Sequence, residues 1–252
     1  MIKFFRKIRQ RFISEGKTKK YILYAIGEIF LVVIGILIAL QVSNWNQERI
    51  NTYQEINALD NLKTELQNNI KDLKGSDTLY QNFEISTEKS LQFFKKNLSI
   101  DDLKAIDTLV QTKYTTFPLT RTTYDEMLNT GKFYNLKNKS LRTQITNLYA
   151  KAEVHFQAFN EINKQTTQLQ DNPSLNRLFL LKDRLKNTPS NLKEIDTTWL
   201  QNPNSPTFLA YFKLVQSLQY NSNKVRQRML TTQIKTCEEL ITAIEKELNL
   251  KH

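Results

Sequence analysis

Apolar positions follow two rules along this 252-residue chain, and each rule predicts its own environment. From Tyr21 to Val42 they are almost continuous: 14 of these 22 residues are Ile, Leu, Val or Phe, and Glu28 is the one charge. Twenty-two helical residues at about 1.5 Å each cover about 33 Å, enough for a hydrocarbon layer of about 30 Å. Beyond Val42 the apolar residues recur instead at steps of three and four, the spacing of amphipathic helices.

The first such stripe runs over Asn44–Lys74 and includes Trp45, Thr52, Ile56, Leu59, Leu66, Ile70 and Leu73, with Leu62 at its border. It is coiled-coil-like, and Gly75 is placed to end it. A second helix is expected over Asp77–Asn97, with Leu79, Phe83, Ser90 and Phe94 inward. Ser99-Ile-Asp-Asp102 resembles a capping box that opens a short helix to about Lys113. Thr123-Tyr-Asp-Glu126 resembles another, with Gly131 at its C-terminal end. Ser140–Asp171 is the clearest stripe: Leu141, Ile145, Leu148, Ala152, His155, Phe159, Ile162, Thr166 and Leu169 step four and three throughout. Residues 171–205 hold Pro173, Pro189 and Pro203. A helix over Ser174–Lys186 is expected there, with adaptable loop for the remainder.

Ser205-Pro206 reads as an N-cap followed by the first helical residue. The helix it opens carries two seams. One passes through Phe208, Tyr211, Val215, Leu218, Ser222, Val225 and Met229. The other passes through Leu230, Ile234, Cys237, Ile241, Ile244 and Leu248, displaced by one residue. That displacement predicts a bend or a change of packing partner between Tyr220 and Leu230. The fold class predicted is all-α: one N-terminal transmembrane helix followed by an elongated antiparallel helical bundle. The organisation expected is a basic segment over 1–20, the span over 21–42 and a helical domain over 43–252.

Charge gives the span a direction. Residues 1–20 hold eight basic side chains against Glu15, a net +7 of the chain's +11. Lys3, Arg6, Lys7, Arg9 and Arg11 alternate with Ile2, Phe5, Ile8 and Phe12, which suits a helix lying on an anionic lipid surface. An unstructured basic flank would set topology equally well. An excess of Lys and Arg stays in the cytoplasm, so residues 43–252 are expected outside it. Tyr21 and Tyr24 suit the inner interface and Trp45 the outer one. A cleaved signal peptide also begins with a basic stretch. However, the apolar region is long for one, and Ala39-Leu40-Gln41 lacks the small-x-small cleavage pattern, so an uncleaved anchor is expected. The remaining +4 is spread over 232 residues. The basicity is therefore a topology and lipid signal, and no nucleic-acid partner is expected.

Glu28, Gly35 and Ala39 share one face of the span, and Gly35-x-x-x-Ala39 is a small-xxx-small pattern that lets helices approach closely. The face suits contact with a second copy or with another envelope membrane protein. Alternatively Glu28 snorkels or is protonated and the small residues are incidental. Chemistry is otherwise sparse. There are two histidines, His155 on the bundle seam and His252 at the end. His155 reads as a buried histidine satisfied by a neighbour, against a pH-sensitive or ligand-contacting group. Cys237 is the single cysteine, expected buried and inert. No zinc spacing and no Gly-x-Ser-x-Gly, HExxH, Walker or GxGxxG pattern occurs. No catalytic residue, cofactor or metal is expected, and the role expected is binding or scaffolding rather than catalysis. A ligand-sensing bundle that signals through a partner's span is the first rival, and an envelope hydrolase the weaker one.

The run MIKFFRKIRQ…YILYAIGEIFLVVIGILIALQVSNWN resembles a family of small bacterial single-pass membrane proteins known as a domain of unknown function. TTYDEMLNTGKFYNLKNKSLRTQITNLY and the closing long helix look similar too. The resemblance implies a Gram-negative inner-membrane protein with a periplasmic helical domain. It carries over no catalytic residue, because none is established for that family.

Overall fold

The computed structural model describes residues 18–110, 117–187 and 196–251. Among them every regular element is a helix and none is a strand. In order they are α1 (Thr18–Phe93), α2 (Ile100–Leu109), α3 (Thr122–Asn129), α4 (Lys132–Asn135), α5 (Lys139–Gln170), a 3-10 turn (Pro173–Leu175), α6 (Asn176–Asn187), a second 3-10 turn (Thr198–Gln201), α7 (Pro206–Lys224), a π-helical turn (Val225–Leu230) and α8 (Thr231–Asn249). The chain divides into two compact units, Met1–Ile56 and Asn57–His252, and α1 contributes residues to both.

The described part of the first unit is helical, and its large apolar side chains from Ile22 to Ile50 are exposed. The second unit holds the core. In it α1 buries Ala58, Leu59, Leu62, Leu66 and Leu73, then Tyr80 and Phe83. The buried face is offset from the expected stripe. Leu62 lies at its centre, Ile70 is half-buried, and Trp45 of the first unit is exposed.

Gly75 does not end the helix as expected, because α1 runs through it. An interior glycine costs a helix about 0.5–1 kcal/mol relative to alanine. Fully burying a Leu or Phe side chain contributes about 1.5–3 kcal/mol, so the buried residues on either side of Gly75 outweigh it. A Cβ built at Gly75 would meet nothing within 4 Å. Gly75→Ala is therefore expected to stabilise the second unit by about 0.5–1 kcal/mol, read as a raised midpoint in urea denaturation. An unchanged or lowered midpoint would place Gly75 in a turn.

Local signals set the other boundaries. Ser99 caps α2 through a reciprocal box: Asp102 N–H donates to Ser99 Oγ at 3.0 Å and Ser99 N–H donates to Asp102 Oδ2 at 2.9 Å. The Ser99 N–H bond first, then Ser99 Oγ–H donating to Oδ2 at 2.8 Å, hold the Asp102 carboxyl below its ordinary range. The helix stops at Leu109, short of the expected Lys113. Gly131 stands just past α3 at φ +74, a left-handed conformation that glycine adopts at little cost. Ser205 Oγ caps α7 by accepting from Phe208 N–H at 3.2 Å, with Pro206 in the first turn.

The contacts order the helices. Glu65 meets Tyr149 and Tyr80 meets Phe159, so α1 and α5 run in the same direction within this unit. Asn138 meets Glu247, Asn221 meets Thr166, and Lys74 meets Glu238, so α7 and α8 run antiparallel to both. The displaced seam has a structural cause. A π turn holds one residue more than an α turn, and the one at Val225–Leu230 moves the inward face on by one position. Beyond it the buried residues are Gln233, Cys237, Leu240, Ile244 and Leu248, while Ile234 and Ile241 are half-buried. Arg226 within this turn reaches back to Glu84 Oε2 at 2.7 Å and Asp77 Oδ1 at 3.4 Å.

One core cluster gathers Leu98, Leu103 and Ile106 with Leu178, Trp199 and Tyr211. The described part of the stretch expected to be loop thus supplies core: Trp199 is 1 % exposed and Leu200 is 3 % exposed. Leu98 N–H donates to the Leu200 carbonyl at 2.9 Å, and Gln201 Nε2 donates to the Leu98 carbonyl at 2.8 Å, which pins this stretch in place.

Candidate functional site

Two regions carry features that ordinary folding does not require, one in each unit. In the first unit, α1 is the one helix among the described residues long and apolar enough to cross a membrane. Its most apolar 18-residue window has a mean hydropathy of 2.6, and none of that window is buried. The core helix of a soluble protein would be mostly covered by its neighbours.

The expected contact residues fall on this helix. Glu28 and Tyr24 are half-buried, whereas Gly35 and Ala39 are exposed. A Cβ built at Gly35 would meet nothing within 4 Å, so the small residue leaves open space beside the helix. Trp45 is 66 % exposed. Lys3, Arg6, Lys7, Arg9, Arg11 and the Tyr21 side chain lie outside the described residues, as does the expected interfacial helix near the N-terminus.

In the second unit a buried carboxylate joins three helices. Glu65 on α1 is 8 % exposed. It accepts from Tyr149 Oη of α5 at 2.9 Å and from Thr123 N–H of α3 at 2.6 Å. One turn along α1, Asn69 makes two bonds to one residue: its Nδ2 donates to the Thr120 carbonyl and its Oδ1 accepts from Thr120 N–H, both at 2.8 Å. The Tyr149 ring stacks on Tyr124 with centroids 4.4 Å apart and planes 9° apart. Arg121 lies over both rings at 5.6 and 5.9 Å while holding Asp125 at 2.8 Å. Burial first, then the Glu65 charge, pushes the Tyr149 hydroxyl well above its ordinary range, so it stays a proton donor.

This arrangement replaces the second expected capping box. Helix α3 starts at Thr122 with Arg121 at its N-cap and no side-chain cap bond, and Glu126 instead accepts from Lys132 Nζ at 3.2 Å. One free N–H in the first turn of α3, that of Thr123, is satisfied from another helix, by Glu65. Sequence reasoning missed Glu65. Its signal was an acidic residue directly beside Leu62 and Leu66 on an apolar stripe. Tyr149, next to the seam residue Leu148, gave an even weaker one.

A family model described as a family of unknown function (DUF6090) matches residues 28–164, just over half of the chain. The chain belongs to this family. The match covers the apolar helix from Glu28 onward and the whole Glu65, Asn69, Tyr124 and Tyr149 arrangement. It contains the stretch TTYDEMLNTGKFYNLKNKSLRTQITNLY but stops before the closing long helix. No curated protein and no solved structure matches the chain.

The remaining reactive groups are placed as follows. Cys237 is fully buried, and burial pushes its thiol up to about 12, which leaves little thiolate to react. Among the described residues no three His, Cys, Asp or Glu side chains are grouped to hold a metal ion. His155 is half-buried, and its Nδ1 is buried without a hydrogen-bond partner among the described residues, so the expected satisfying neighbour is missing.

Burial first, then the Lys151 charge, lowers the His155 pKa. The unfolded chain takes up this proton first, as the pH falls through about 6.5. Folding stability is therefore full above that pH and is lost as the pH falls toward the lower folded-state value. The urea midpoint is expected to fall between pH 7.5 and pH 5.5, and His155→Gln is expected to flatten that fall. An equal fall in the variant would assign it to other groups.

Proposed function

We propose that this protein is a membrane-anchored helical interaction module of the bacterial inner membrane, with its basic N-terminus in the cytoplasm and the Asn57–His252 unit in the periplasm. The observation that carries the reading is the uncovered apolar surface of α1 from Ile22 to Val42, which the hydrocarbon of a bilayer would cover. The +7 before the span and near-balanced charge after it favour this orientation. On this reading α1 starts from an uncleaved signal anchor.

The role proposed is binding rather than catalysis. Glu65, the most buried of the carboxylates described above, is committed to holding the start of α3, and Cys237 is too deeply buried to act as a nucleophile. The contact face within the membrane is Glu28, Gly35 and Ala39, meeting either a second copy or another envelope membrane protein. The test is a photoreactive residue at Gly35, cross-linked in intact cells. Adducts at twice the protomer mass would show self-association, and a discrete adduct of another membrane protein would show a heterologous contact. A correctly inserted protein that forms no adduct would overturn the contact face.

A further inference from the structure

We propose that Lys3, Arg6, Lys7, Arg9 and Arg11 gather anionic phospholipid around the start of α1, so that the anchor selects the lipid it sits in. The inference rests on the membrane-anchored reading above and adds to it a partner of stated chemistry, the phosphate headgroup of a charged lipid. The five residues lie outside the described part of the structure and are tethered to α1, which begins at Thr18.

Topology accounts for only part of the charge before the span. The eight basic residues there fall into two groups on either side of Glu15. Lys17, Lys19 and Lys20 adjoin the apolar run, and the Lys19 side chain is exposed. Against Arg49, the first basic residue beyond the span, these three are excess enough to keep the N-terminus in the cytoplasm. The other group is redundant for that purpose. It places five basic residues and no acidic one in the first 13 positions. Clusters of about four to eight Lys or Arg immediately beside a span are the pattern that recognises anionic headgroups.

Two further features direct this group to a lipid surface rather than to a dissolved polyanion. Ile2, Phe5, Ile8 and Phe12 recur every three or four residues between the charges. A headgroup layer accepts such apolar side chains, whereas a dissolved nucleic acid would leave them in water. The second feature is where the chain enters α1. The helix begins at Thr18, and its exposed apolar surface begins four residues later at Ile22, which is 54 % exposed. Four helical residues advance about 6 Å, so Thr18 stands at headgroup level when that surface is in hydrocarbon. Seven residues separate Arg11 from Thr18, a tether of at most about 25 Å. The charges are thereby held at a high effective concentration beside the headgroups.

The test uses the full chain reconstituted in phosphatidylcholine vesicles with a trace of spin-labelled phosphatidylglycerol or phosphatidylethanolamine. Electron paramagnetic resonance reads the fraction of each probe immobilised against the protein. The anionic probe is expected to be favoured at least about threefold over the zwitterionic one in about 20 mM salt. Most of that preference should vanish in about 1 M salt, where charges are screened beyond about 3 Å. Replacing Lys3, Arg6, Lys7, Arg9 and Arg11 together with glutamine is expected to bring the preference below about 1.5-fold. Lys17, Lys19 and Lys20 should still orient the span in that variant, and it should still pellet with membranes. Equal immobilisation of the two probes by the wild type, a preference that salt does not reduce, or an unchanged preference in the variant would each overturn the proposal and leave the anchor standing. Immobilisation of neither probe would overturn the membrane-anchored reading, and the proposal with it.

Discussion

Replacing Glu65 with alanine is expected to destabilise the Asn57–His252 unit by about 3–5 kcal/mol. The carboxylate is buried and accepts from two groups: the Tyr149 hydroxyl, in a fully buried bond, and the amide of the half-buried Thr123. A hydrogen bond to a charged group is worth about 1.5–3 kcal/mol, and an orphaned buried donor adds its own desolvation cost. Glu65→Ala removes the partner of both donors and orphans the buried Tyr149 hydroxyl. Tyr149→Phe removes only one bond and leaves Glu65 on Thr123, so about 1.5–3 kcal/mol is expected. The double variant should cost less than the sum of the two, because the groups share one network. Glu65→Gln keeps an acceptor and should fall between wild type and alanine. The measurement is urea denaturation of the full chain in detergent, followed by circular dichroism. A Glu65→Ala loss below about 0.5 kcal/mol would place this carboxylate among surface groups and refute the three-helix tie.

Two arginines at the middle of the apolar run, Val33→Arg with Leu37→Arg, are expected to abolish stable membrane insertion. The 14 large apolar residues of Tyr21–Val42 together favour insertion by about 4–8 kcal/mol. Each central arginine opposes it by about 2.5–3.5 kcal/mol and also removes one apolar contribution. Glu28 already adds a smaller cost away from the centre. The balance therefore changes sign or vanishes. After alkaline carbonate extraction, the wild-type protein should remain in the membrane pellet and the double variant should move to the supernatant. Val33→Ala with Leu37→Ala, which keeps the run apolar, should stay in the pellet. Retention of the arginine pair in the pellet would show that something other than this helix holds the protein.

Much of the fold was legible because many decisive signals act over one or two turns. The Ser99 and Asp102 box, Gly131 after α3 and Ser205-Pro206 before α7 are local devices, and each works where the spacing placed it. The one-residue displacement between the two C-terminal seams is the trace of an extra residue in a turn, and a π turn stands there. What escaped was set by tertiary contacts. Gly75 looked like a terminator because its backbone cost is visible in sequence, whereas the packing that overrides it is not. Thr123 looked like a cap, but its amide is claimed by Glu65, 58 residues away. Trp199 and Leu200 lie in a proline-rich stretch with no periodicity, and only the fold shows them to be core. Tyr211 sat on a predicted seam, which hid the fact that its hydroxyl would be buried without a hydrogen-bond partner among the described residues.

The central claim is that α1 crosses a membrane with the basic segment inside and the helical domain outside. Site-directed labelling tests it most directly. In a Cys237→Ala background, single cysteines at Gln10 and at the exposed Gln157 would be treated in intact cells with a maleimide that penetrates the outer but not the inner membrane. The account predicts that the cysteine at position 157 labels at once and that the one at position 10 labels only after the inner membrane is opened. Labelling at position 10 with protection at position 157 would reverse the topology. Protection of both positions until the inner membrane is opened would contradict a crossing altogether.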